Sequence, residues 1–74
     1  MELNIIHDPG HKVIIIKTGN PLPSLFKLFD SMGNLLVLRE VADMEEISVK
    51  ELKKGLYHYK LIAGPNLQTG KLKL

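Results

Sequence analysis

The sequence predicts an all-β domain, an immunoglobulin-like β-sandwich of about seven short antiparallel strands. Three observations carry that expectation. Apolar residues recur with period two along almost the whole chain. Their runs are short and rich in β-branched and aromatic residues, which suit a pleated, half-buried surface. Gly, Pro, Asn and Asp break the runs at short intervals, as turns require.

The elements follow in order. Residues 2–7 form a first strand, closed by Asp8-Pro9-Gly10, where Pro fixes φ and Gly tolerates a positive one. Residues 11–18 come next, and the run Val13-Ile14-Ile15-Ile16 fits a sandwich core better than a helix. Gly19-Asn20-Pro21-Leu22-Pro23 is a loop, since two prolines exclude a helix there. In residues 24–30, Phe26 and Leu28 point one way and Lys27 the other. Asp30 leads into the tight connection Ser31-Met32-Gly33-Asn34, and residues 35–41 run back as the second arm of a hairpin.

Residues 42–46 are polar and acidic and read as a loop, and residues 47–50 as a short strand. A helix over 42–54 competes, but Ile47-Ser48-Val49 alternates and the stretch lacks an apolar stripe. Glu51 to Gly55 turns the corner into residues 56–63, with Tyr57, Tyr59 and Leu61 on one face. Gly64-Pro65-Asn66 is a hairpin turn, and residues 67–74 return as the last strand. Gly33 and Gly55 stand where the chain reverses, and a Cβ there would cost about 1 kcal/mol or more in left-handed geometry. Tyr57 opens a strand just after a corner, the setting of a tyrosine corner, in which the ring packs inside and the hydroxyl bonds nearby backbone.

Composition narrows the function. A single domain of 74 residues buries only about 60% of its unfolded surface. With no cysteine, disulfides, thiolate metal sites and thiol nucleophiles are all closed. Ten basic and eight acidic residues give a charge of +2, and both signs are scattered along the chain apart from Lys53-Lys54 and the pair Lys71 and Lys73. One Arg and four spread Phe and Tyr do not make the basic, aromatic patch of a nucleic-acid binder, so no nucleic-acid partner is expected. The first residues are no signal peptide, and the longest uninterrupted apolar stretch, Val13 to Ile16, is too short to insert in a membrane.

Catalytic and metal chemistry find no footing. His7 and His11 are separated by Pro9 and Gly10, which precludes a helical pair of ligands, and His58 alternates with two tyrosines. Ser24, Ser31 and Ser48 lie in no nucleophile elbow. Glu45 and Glu46 are sequential and on a strand face opposite ways, and the glycines form no phosphate loop. The expectation is a non-enzyme with no cofactor.

Three ordered segments carry a resemblance. Residues 26–34 read FKLFDSMGN, residues 46–61 read EISVKELKKGLYHYKL, and residues 68–74 read QTGKLKL. In order and spacing the chain resembles the carboxy-terminal sorting domain (type A) of Bacteroidetes cargo proteins exported by the type IX secretion system. The Pro-Asn-Pro group that usually opens that family is His7-Asp8-Pro9-Gly10 here. The resemblance implies a seven-stranded immunoglobulin-like sandwich that directs cargo to the cell surface, with a secretion translocon and a sorting protease as partners. It further implies that Gly70, Lys71, Leu72, Lys73 and Leu74 form the recognised tail, and that Asp30, Gly33, Gly55 and Tyr57 are structural.

The plain reading of the tail is an ordinary last strand with lysines that discourage edge pairing. On the sorting reading the domain passes through the periplasm to the surface or medium as part of a longer precursor; with Met1 as the true start it stays in the cytoplasm. The alternative is a stand-alone sandwich for protein binding or spacing. A carbohydrate-binding sandwich is disfavoured by the absence of Trp. Exposed strand edges also admit a weak edge-strand dimer.

Overall fold

A computed structural model describes residues 3–74; Met1 and Glu2, the latter the expected start of the first strand, lie outside the described residues. The chain forms seven strands: β1 (Asn4–Asp8), β2 (Val13–Lys17), β3 (Ser24–Phe29), β4 (Leu35–Val41), β5 (Met44–Ser48), β6 (Leu56–Ala63) and β7 (Asn66–Lys73). They pair antiparallel into two sheets, β1-β2-β5 and β4-β3-β6-β7. The hairpins β1–β2, β3–β4 and β6–β7 stay within a sheet, and the other three connections cross between sheets. This is an all-β immunoglobulin-like sandwich. In constant-type immunoglobulin domains the fourth strand joins the fifth; here β4 stays beside β3.

Alternation places the core. Ile14, Ile16 and Ile47 face inward from the three-stranded sheet, and Phe26, Leu28, Val41, Tyr57 and Leu61 face them from the other. Phe26 stacks against Tyr59, with ring centroids 6.2 Å apart. The β6–β7 hairpin closes through the two-residue loop Gly64-Pro65, with Gly64 at φ +58° and Pro in the second position.

Two expected boundaries move. Residues 42–46 were to form a loop, but β5 begins at Met44 and ends at Ser48, before Lys50. The cause is tertiary: β2 runs on past Ile14, and its backbone groups at Ile15, Ile16 and Lys17 find partners at Glu46, Glu45 and Met44. As an edge strand, β5 keeps Glu46 in solvent, so acidic composition does not stop pairing there. No helix forms over 42–54. Strand β2 is also shorter than 11–18. Lys12 takes φ +55° in the turn; at the other end Thr18 still donates its N–H to Asp43 O at 2.8 Å, the next register position, but Asp43 at φ +61° ends the ladder.

Candidate functional site

The tail residues split between the two faces of β7. Leu72 lies opposite Tyr57 and points inward, packing with Leu74 against the core cluster. Lys71 lies opposite His58 and Lys73 opposite Leu56, both on the outer face. Leu74 continues the ladder one step beyond the strand: its N–H donates to Gly55 O at 2.9 Å, and its carbonyl accepts from Gly55 N–H at 3.0 Å. Strand β7 is an edge, and among the described residues its far side has no strand partner.

Gly70 owes its place to packing. It lies opposite Tyr59, whose ring is laid across it, and a Cβ at Gly70 would come within 2.5 Å of the Tyr59 hydroxyl and 2.6 Å of Cζ. An aromatic covering a strand glycine from the neighbouring strand replaces the missing side-chain contact. The sequence offered a signal for this, an aromatic strand followed by a lone glycine in the next strand, but only with the register known.

Gly55 and Tyr57 meet the tail directly. Gly55, at φ +156°, pairs with Leu74. Tyr57 is buried, and its hydroxyl donates to the Lys53 carbonyl four residues upstream, tying the 51–55 corner to β6.

Asp30 and Gly33 organise the β3–β4 turn. One Asp30 carboxylate oxygen accepts the N–H groups of Met32 and Asn34, both at 2.9 Å, and the other accepts the Asn34 amide at 2.9 Å. These bonds, led by the Asn34 side chain, hold the Asp30 carboxyl below its ordinary value. Gly33, at φ +88°, supplies the left-handed step of the turn. The turn, Phe29 and His58 share a shallow groove with Lys60, Thr69, Gly70 and Lys71. Asp30 and Gly33 thus border the same surface as the tail, a proximity that the long stretch of chain between them conceals in the sequence.

A second tight turn stands on the other sheet. The Asp8 carboxylate accepts the backbone N–H groups of Gly10 and His11, and its second oxygen lies 2.7 Å from His11 Nδ1. That contact raises the His11 imidazole above its ordinary value and lowers the Asp8 carboxyl. Among the described residues no group of three or more His, Cys, Asp or Glu is arranged to hold a metal ion.

Charges scattered along the sequence are sorted by face in the fold. Lys27, Lys60, Lys71 and Lys73, with His58, all project from the outer face of the four-stranded sheet. The outer face of the three-stranded sheet carries Asp8, Lys17 and Glu46. Compared with models of known families and with curated proteins, the chain matches none.

Proposed function

We propose that the chain is a non-catalytic sorting module of the type IX secretion kind, recognised through its β6–β7 hairpin. One observation carries this reading. The three segments that resemble the sorting family supply β3, the end of β5 and the β6–β7 hairpin; β3, β6 and β7 are successive neighbours in one sheet, with β7 at its edge. The free side of β7 offers a row of backbone groups to which a recognising protein can add a strand. A secretion translocon would use that edge, and a sorting protease would act outside the folded sandwich.

The test is export of a signal-peptide-bearing fluorescent reporter fused ahead of residues 1–74, in a bacterium with a working type IX system. Deleting the last strand is a poor control, because Leu72 and Leu74 are part of the packed structure. The doubly substituted Lys71→Glu, Lys73→Glu fusion changes only outward side chains. The expected result is surface reporter with the parent sequence and periplasmic reporter with the variant, at equal melting temperature. Periplasmic retention of a folded parent fusion would remove the sorting reading.

A second reading, a protein-binding sandwich with no part in export, is favoured by the concentration of cations on one outer face. The same assay separates the two, since a binding module leaves the reporter in the periplasm in both forms.

A further inference from the structure

The outer face of the four-stranded sheet is built in rows. Lys27 of β3 lies directly opposite Lys60 of β6, and Lys71 of β7 is diagonal to Lys60, two residues along from its partner Thr69. Like charges placed directly across a ladder oppose pairing. No ion pair neutralises them: among the described residues the only one is His11 with Asp8, on the other sheet. Two described carboxylates border this face, Glu40 at its edge opposite Leu25 and Asp30 in the β3–β4 turn beside the groove that Lys60 and Lys71 line; Asp30 is engaged by Met32 and Asn34, and neither pairs with a lysine. The row beside the lysines is apolar: Leu25, Ile62 and Leu67 in register, with Leu67 60% exposed.

We propose that this face docks an acidic segment of a partner protein, its carboxylates over Lys27, Lys60 and Lys71 and its apolar side chains over Leu25, Ile62 and Leu67. Charge complementarity sets the sign of the occupant. The apolar row sets its class. A polypeptide has aliphatic side chains with which to cover that row, whereas a nucleic acid binds through aromatic platforms. The sole aromatic of the Phe, Tyr and Trp type here, Phe29, is half-buried and already lies under the Lys60 ammonium, 5.5 Å from its ring centroid. The proposal shares Lys71 with the sorting reading but rests also on Lys27 and Lys60, outside the tail, and its measurement needs no export, so the two can fail separately.

At 74 residues the whole chain suits amide-resolved NMR titration. The probes are a capped twelve-residue peptide alternating Glu and Leu, a dodecamer of thymidine nucleotides, and phosphatidylglycerol vesicles. The peptide is expected to shift the amides of Lys27, Phe29, His58, Lys60 and Lys71, and to bind about tenfold more weakly as salt rises from about 50 to 300 mM. Lys60→Glu should weaken the peptide by about tenfold, and Lys17→Glu, on the opposite face, by less than about twofold. Lys60→Glu should also melt at or above the parent temperature, because it turns a like-charge pair with Lys27 into an opposite-charge one. Shifts spread evenly over Lys12, Lys17 and Lys50, or no binding by the peptide, would overturn the proposal. So would tighter binding of the oligonucleotide or the vesicles at this face, or a lower melting temperature for Lys60→Glu.

Discussion

The three-stranded sheet presents Ile14, Ile16 and Ile47 to the core, one aliphatic type repeated, whereas the four-stranded sheet presents Phe26, Leu28, Tyr57, Tyr59 and Leu61. Identical β-branched side chains fill space and can be replaced by near isosteres with little consequence. The other sheet contains contacts with no such freedom: a hydroxyl bonded to one carbonyl and a ring laid over one glycine. The first sheet acts as a cover. The second carries these two core contacts and both surfaces proposed for recognition.

Truncation on each side tests that contrast most strongly. Tyr57→Ala should cost about 3 kcal/mol or more, since it removes a buried aromatic and leaves the Lys53 carbonyl unpaired. Tyr57→Phe keeps the ring and should cost about 1 kcal/mol. Ile14→Val, fully buried in the covering sheet, should also cost about 1 kcal/mol. Urea denaturation of the three variants measures the differences. Equal losses for Tyr57→Ala and Ile14→Val would erase the distinction between the sheets.

A smaller effect sharpens it. Gly70→Ala forces the Tyr59 ring off its seat and should destabilise by about 2 kcal/mol, in the range of overpacked cores. In a Tyr59→Leu background the same change should be nearly neutral, because the atoms it meets are gone. The matching glycine of the covering sheet's turn, Gly10, has only the Asp8 carboxylate at 3.4 Å from an added Cβ, so Gly10→Ala should be tolerated in either background. A double-mutant cycle on Gly70 and Tyr59 that shows no coupling would refute the seat.

How far the sequence reached follows the same division. Period-two alternation located β3 and β6 to within a residue, because each has one buried and one solvated face, and β4 followed as the returning arm of a hairpin. It missed the first half of β5, where the demand for pairing comes from β2 and Met44, Glu45 and Glu46 themselves carry no strand signal. The tyrosine corner was legible because it is local, its acceptor four residues upstream of its donor. The Tyr59–Gly70 seat and the lysine rows were not. Each joins residues whose proximity depends on strand order and register, which composition and spacing do not encode.

The least effect expected concerns the two hairpin turns under changing pH. At Asp8 and His11 both partners shift, the carboxyl downward and the imidazole upward, each chiefly through their shared hydrogen bond. A folded-state pKa held below 3.8 adds stability above that value and loses it as pH falls through the folded pKa. A folded-state pKa held above 6.5 adds stability below that value and loses it as pH rises through the folded pKa. The covering sheet's turn therefore weakens on both flanks, with its full contribution between about 3.8 and 6.5. The Asp30 turn has no imidazole, and its carboxyl is held down by Asn34, so it weakens on the acid flank alone. Both turns are solvent-exposed, so the changes should be small. Melting temperatures of the parent, His11→Gln and Asn34→Ala across pH 3 to 9 separate them. His11→Gln should flatten the alkaline slope and leave Asp30's acid contribution in place, while Asn34→Ala should reduce the acid slope alone. An alkaline slope that survives His11→Gln would mean that the two turns do not differ in this way.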